Sequence, residues 1–147
     1  MASQGEGQGG IGRLYRVGVA VRDLEASVAR IGRLFGLTPT LRFTNPLQSV
    51  TCAWLQMGEC IFELIQSTSP DGNVARFIEK RGEGLYLVAI EVDDLEAASA
   101  VIRERGGEII LPAAAPFAPG GRNNFVHPRS VAGVLVEMVE PPASGAR

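Results

Sequence analysis

Two glutamates each stand alone inside an apolar run of this 147-residue chain: Glu63 in Ile61-Phe62-Glu63-Leu64-Ile65, and Glu137 in Leu135-Val136-Glu137-Met138-Val139. Alternation along a strand sends Phe62 and Leu64 to one face and Glu63 to the other, and it separates Glu137 from Val136 and Met138 in the same way. A carboxylate in such a place is costly to bury without a partner. Arg16 is the natural counter-charge, because Val17, Val19 and Val21 occupy one face of an early strand and Arg16 falls on the other. Two carboxylates and a guanidinium in one cavity make an acid/base arrangement. The cation keeps one carboxylate ionised, and repulsion raises the pKa of the other. The competing reading of the same three residues is a structural ion pair that fills an inactive site.

The elements that must position these residues are written twice. Residues 14–27, Leu-Tyr-Arg-Val-Gly-Val-Ala-Val-Arg-Asp-Leu-Glu-Ala-Ser, recur at 85–98 with eight of fourteen positions identical. Such self-similarity decides the fold before any local detail does. Each copy alternates like a strand and then supplies an N-cap and first helical turn, Asp-Leu-Glu-Ala. The repeat makes Arg16 equivalent to Leu87 and Glu63 equivalent to Glu137, so these four positions are expected to converge.

In chain order, a strand over 14–21 leads to a helix from Asp23 to Phe35, with Gly36 as its C-cap. A strand over 38–43 ends at Asn45-Pro46. A hairpin follows, from Val50–Gln56 and Cys60–Gln66 around Met57-Gly58-Glu59, and then a short helix over Val74–Lys80. The second copy predicts a strand from Leu85, a helix from Asp94 to Arg105, a short strand over Glu108–Leu111 and a loop over Pro112–Gly121. Its last strands are Asn124–His127 and Gly133–Glu140. The fold class is therefore α+β: two βαβββ modules in a pseudo-twofold arrangement, forming a curled mixed sheet around a cavity. Residues 1–12 read as a flexible tail and 13–140 as a single domain, with module one at 13–68, a linker at 69–83 and module two at 84–140. A second tail occupies 141–147.

Composition excludes some functions. A net charge of −2 with scattered arginines offers no footprint for nucleic acid. No apolar run reaches the roughly 18 residues of a membrane span, and the opening residues lack the basic end and apolar stretch of a signal peptide. The expected hairpin sets Cys60 opposite Met57 and Cys52 opposite Ile65, so no disulfide between the two cysteines is expected. A reducing, cytoplasmic setting is the corresponding expectation.

Four stretches carry a resemblance to a known family: Arg16-Val17-Gly18-Val19-Ala20-Val21 with Asp23-Leu24-Glu25-Ala26; Phe77-Ile78-Glu79-Lys80-Arg81-Gly82-Glu83-Gly84-Leu85; Glu91 to Ala98; and Phe125-Val126-His127-Pro128-Arg129-Ser130 followed by Gly133 to Glu137. The chain resembles the vicinal oxygen chelate (glyoxalase/bleomycin-resistance) superfamily, in its methylmalonyl-CoA epimerase-like branch. That resemblance implies a divalent metal held by two histidines and two Glu or Gln residues, which chelates substrate oxygens and stabilises an enolate. Glu63 and Glu137 match the carboxylate positions, but Arg16 and Leu87 stand where the histidines belong. Cys52 stands where some epimerases carry a catalytic carboxylate.

Two carboxylates without imidazole suit zinc or cobalt poorly, and a permanent guanidinium charge repels a cation. No metal or other cofactor is therefore expected, and Arg16 is expected to replace the metal as a fixed cation. The candidate catalytic residues are Glu137, Glu63 and Arg16. The candidate substrate-binding residues are Cys52, Trp54, Leu87, Gln48, Arg122 and His127. For Cys52 the plain alternative is a small core residue, and for His127 a strand-end residue making structural hydrogen bonds. Tyr15 and Tyr86 alternate onto the helix face and read as core.

The expected activity is acid/base chemistry next to a carbonyl or acyl thioester by a metal-independent epimerase-, isomerase- or lyase-like enzyme, with a biosynthetic pathway as its expected setting. The alternative is a non-catalytic protein of the same fold that sequesters a small molecule. Sequestration favours an aromatic lining, and this chain is 6% aromatic with one tryptophan. The expected partners are a small-molecule carbonyl or thioester substrate and a second copy in a homodimer, with neither nucleic acid nor membrane.

Overall fold

Each copy of the repeat builds a strand that feeds a helix. The computed structural model describes residues 10–143, so most of the tails expected at 1–12 and 141–147 lies outside the described residues. Strand β1 (Ile11–Ala20) precedes helix α1 (Leu24–Phe35), and β5 (Gly84–Val92) precedes α3 (Leu95–Glu104). The caps are those that the repeated Asp predicts. Asp23 Oδ1 accepts from the Ala26 N–H at 3.0 Å and Asp94 Oδ1 from the Ala97 N–H at 2.9 Å. Gly36 ends α1 in the left-handed region, at φ 68°, with its N–H on the Gly32 carbonyl. β1 starts earlier than the alternation suggests, because the Asp93 N–H bonds the Gly10 carbonyl at 3.1 Å and draws residues 11 and 12 into the strand.

The described chain divides into two compact units, one of Arg16–Leu87 and one of the residues from Val88 onward together with those up to Tyr15. In the first, β2 (Leu41–Asn45), β3 (Val50–Met57) and β4 (Cys60–Ser67) form the order β2-β3-β4-β1, with β1 parallel to β4. The hairpin register sets Cys52 opposite Ile65 and Met57 opposite Cys60, as the alternation predicts, and both cysteines are free. α1 lays its apolar stripe over Val21, Ala53, Leu55 and Leu64, with Val19 and Phe62 at the edge of the same core. Helix α2 (Asn73–Arg81) packs Phe77 edge-on against Tyr86, at 5.1 Å between ring centres. Tyr86 therefore faces a helix, as expected.

The second unit repeats the pattern. β6 (Ala115–Pro116), β7 (Arg122–Val126) and β8 (Leu135–Glu140) give the order β5-β8-β7-β6. Val92, Leu95, Ala98, Val126 and Met138 make its core. One expected strand is misplaced. Residues 108–111 make only an isolated bridge, Ile109 to Val126, and the paired edge strand is Ala115–Pro116, inside the expected loop. The Asn124 side chain causes this: it accepts from the Leu111 N–H and donates to the Leu111 carbonyl, taking the groups a ladder would have used. No helix among the described residues is long and apolar enough to cross a membrane.

Candidate functional site

Parallel pairing of β1 with β4 aligns Gly18 with Glu63, and the β3–β4 hairpin aligns Trp54 with the same glutamate. Arg16, Trp54 and Glu63 thus share the face turned away from α1. Glu63 is 2% exposed and Arg16 1%. Arg16 Nη1 donates to Glu63 Oε1 at 2.5 Å, and Trp54 Nε1 donates to Oε2 at 2.5 Å. The guanidinium carbon also lies 5.5 Å from the centre of the Trp54 ring system, within cation–π range. Phe43 meets Trp54 edge-on at 5.6 Å between ring centres. Both oxygens of Glu63 therefore carry a donor, one of them cationic. Glu63 thus forms a buried clamp on Arg16 and Trp54.

Leu87 adds no chemistry, but it shapes the same face. A Cβ on Gly18 would stand 2.8 Å from Leu87 Cγ and 2.8 Å from Ile65 Cδ1. Gly18 has no side chain because these two close over it. Cys52, 3% exposed, lies between Phe43 and Ile65 in the strand register and is packed as a small core residue.

These residues do not fit the divalent metal that the resemblance implies. The Glu63 oxygens are taken by N–H donors, Arg16 places a fixed positive charge against Glu63, and Leu87 offers no ligand atom.

In the other unit β8 presents Glu137 opposite Phe125, and β7 presents Asn123 opposite Val139. The two share the face turned away from α3. Asn123 Nδ2 donates to Glu137 Oε1 at 2.9 Å. Glu137 is 3% exposed and Asn123 1%, and Asn123 Oδ1 has no hydrogen-bond partner. The sequence reading missed Asn123. Its signal was the pair Asn123-Asn124 in the middle of a strand, since alternation sends one asparagine to each face. Asn124 spends its amide on Leu111 and on the Phe125 N–H, which leaves Asn123 as the one beside the glutamate.

Three candidate residues take other work. Arg122, one residue along β7, faces α3, where Nη1 bonds Glu96 at 2.7 Å and Nη2 bonds Glu140 at 2.9 Å. The Glu96 carboxyl is held below the usual carboxylate range by the hydrogen bond from Arg122 and by its own backbone N–H, and the Arg122 pKa is raised by Glu96 and then Glu140. His127 Nδ1 accepts from the Arg129 N–H at 3.1 Å and caps the turn Pro128–Ser130, which is the structural role weighed for it. Gln48 lies in the β2–β3 turn, two residues before β3 begins and six before Trp54. None of the three is brought to Glu63 or Glu137 by the contacts it makes.

A cleft of about 380 Å³ opens elsewhere in the first unit, lined by Val21, Arg22, Gln66, Ser67, Ser69 and Ile78 among others. Gln66 shares the face of Phe62 and Leu64, so this cleft opens on the helix side, away from the Glu63 clamp.

Comparison with known proteins identifies relatives of this arrangement. The family described as the Glyoxalase/Bleomycin resistance protein/Dioxygenase superfamily matches residues 15–126. Mitochondrial methylmalonyl-CoA epimerase of Bos taurus is 32% identical over 129 residues, covering 87% of this chain and 74% of that protein. A variant of Streptomyces coelicolor methylmalonyl-CoA epimerase, solved in complex with 2-nitronate-propionyl-CoA, matches with a TM-score of 0.86 at 29% identity, covering 90% of this chain and 99% of the other. A methylmalonyl-CoA epimerase solved with methylmalonyl-CoA and ammonium matches with the same TM-score of 0.86 at 29% identity, covering 90% and 96%.

Proposed function

The chain belongs to the glyoxalase/bleomycin resistance protein/dioxygenase superfamily, in its methylmalonyl-CoA epimerase-like branch, and we propose that it acts there as a metal-independent isomerase of an acyl-CoA thioester. The relatives support an isomerase rather than a lyase, and the acyl-CoA complexes of the epimerase structures support a thioester substrate. The observation that carries the metal-independent part is the Glu63 clamp, with a donor on each carboxylate oxygen and Arg16 as one of them.

In this reading Glu137 is the base that removes the proton α to the thioester carbonyl. Arg16 is the fixed cation that the resemblance puts in the place of a Lewis-acidic ion. A guanidinium offers charge and directed hydrogen bonds without coordination chemistry. Glu63 and Trp54 keep that guanidinium from reorienting, so its field is already in place when charge develops. Glu63 is held by a cation and an indole, and Glu137 accepts from the neutral Asn123 amide; we assign the base to Glu137 on that difference in donor charge.

Incubating the purified protein with acyl-CoA thioesters in D2O tests this directly. Wild-type protein stripped with a chelator is expected to wash deuterium into the α position, and Glu137→Gln to slow that exchange by roughly 10²–10⁴-fold. Exchange that requires added metal would remove the metal-independent part of the reading. Tight thioester binding with no exchange would point to a sequestering protein instead.

A further inference from the structure

The atom left over beside Glu137 bears on the substrate. Asn123 is 1% exposed; its Nδ2 is used by Glu137, and its Oδ1 is buried with no partner. Buried polar atoms are nearly always satisfied, and one that is not calls for an explanation. Exchanging the two ends of the amide does not remove the anomaly. Oδ1 would then face the carboxylate lone pairs, and Nδ2 would be the buried atom without a partner. The orientation seen directs the amide N–H at the Glu137 carboxyl oxygen, and the unpaired atom is an acceptor.

The surroundings show that this is not a general shortage of partners. Asn124, the next residue, satisfies both ends of its amide against Leu111 and Phe125. The residue opposite Asn123 on the edge strand is Ala115, whose methyl leaves more room beside the amide than any larger side chain would. β6 is itself only two residues long, so little ladder must give way for the amide to be approached.

We propose that Asn123 is a specificity-determining residue whose Oδ1 accepts a hydrogen bond from a hydroxyl on the acyl group of the substrate, next to the carbon that Glu137 deprotonates. The proposal rests on the acyl-CoA reading above and deepens it. The two ends of one amide are neighbours, so a donor at Oδ1 lies within one substituent of a group held against Glu137. A hydroxyl on the carbon next to the reacting one meets that condition. The nearest amide N–H of the CoA arm does not, because it lies beyond the sulfur and an ethylene spacer. A second carboxylate, as in malonyl-type thioesters, fits poorly: it would set an acceptor against Oδ1 and a negative charge against Glu137. The chain should therefore differ from its epimerase relatives in what it prefers. A site built to hydrogen-bond a substrate hydroxyl discriminates against the analogue lacking it, since the protein's own polar group is then left unpaired.

The test is calorimetric binding of 3-hydroxybutyryl-CoA, butyryl-CoA and methylmalonyl-CoA to wild-type protein and to Asn123→Leu. Wild type is expected to bind the hydroxylated thioester about tenfold or more tightly than the other two, and the variant to bind 3-hydroxybutyryl-CoA no more tightly than butyryl-CoA. Equal affinities in wild type, or tightest binding of methylmalonyl-CoA, would overturn the proposal and leave Oδ1 to a buried water. If the variant does not fold, the affinity order in wild type still decides. Deuterium exchange on the same thioesters reads the underlying activity separately: absent exchange with the hydroxyl preference intact counts against the enzyme and not against this assignment.

Discussion

Arg16 has a structural role and a chemical one, and substitution separates them. Arg16→Ala leaves Glu63 buried with Trp54 as its one remaining partner from the clamp. Breaking a buried ion pair from one side costs about 3–5 kcal/mol, so a clear fall in denaturant midpoint is expected. Replacing both partners, as Arg16→Met with Glu63→Leu, should recover most of that loss but not the activity, because no charge is then stranded. Trp54→Phe removes the indole N–H from Glu63 Oε2 and keeps an aromatic ring against Phe43. A loss of about 1–3 kcal/mol is expected, as for any buried acceptor deprived of its donor. Urea titration of the three variants checks all three expectations; a double variant no more stable than Arg16→Ala would contradict the clamp. The carboxylates themselves were legible in the sequence, since a lone glutamate in an apolar strand can hardly be anything but a paired group. The donors on Glu63 were only half legible. Arg16 was expected there, but the tryptophan was read as substrate lining.

Two elements carry predictions of their own. β1 tolerates no side chain at Gly18, where a methyl would meet Leu87 and Ile65 at 2.8 Å. Gly18→Ala is expected to destabilise by about 1–3 kcal/mol through overpacking, and Gly18→Ala with Leu87→Ala to be milder than the sum of the two single changes, as thermal unfolding of the set would show. At the start of α3, Arg122 joins Glu96 to Glu140, and Glu140 Oε2 accepts the Leu95 N–H at 2.8 Å. The folded-state pKa of Glu96 is depressed by Arg122. Its contribution to stability is therefore fully present above the unfolded carboxylate pKa and is lost as pH falls through the lowered folded value. Arg122→Gln should lower Tm at neutral pH, and the gap to wild type should narrow on acidification through that window. A gap that stays constant would mean that the fork contributes packing and not charge. The capped helices, the hairpin register and the repeat were all readable, because each depends on residues close in sequence. The edge strand at Ala115–Pro116 was not: the Asn124 side chain decides it, by capturing the backbone of Leu111 from thirteen residues away.

For the whole molecule, the donor sets of the two units predict that the purified protein holds no stoichiometric zinc, cobalt or nickel. Elemental analysis after exposure to these ions checks this; about one ion per chain, lost in Glu137→Ala, would contradict it. What the sequence determined by itself is the doubled strand–helix–three-strand plan, the strands that carry each carboxylate, and the family itself. These are local or positional properties: alternation, caps and repeat spacing act within a few residues. Tertiary structure decided how the charges are spent. Glu63 became a clamp when strand pairing brought Arg16 and Trp54 to its two oxygens from forty-seven and nine residues away. Glu137 acquired Asn123 through the β7–β8 register, and Arg122 was drawn to the helix side by falling one residue out of phase with it. A one-residue change of register reverses the face of every side chain in a strand. That is why partners across strands, unlike the strands themselves, belong to the folded molecule alone.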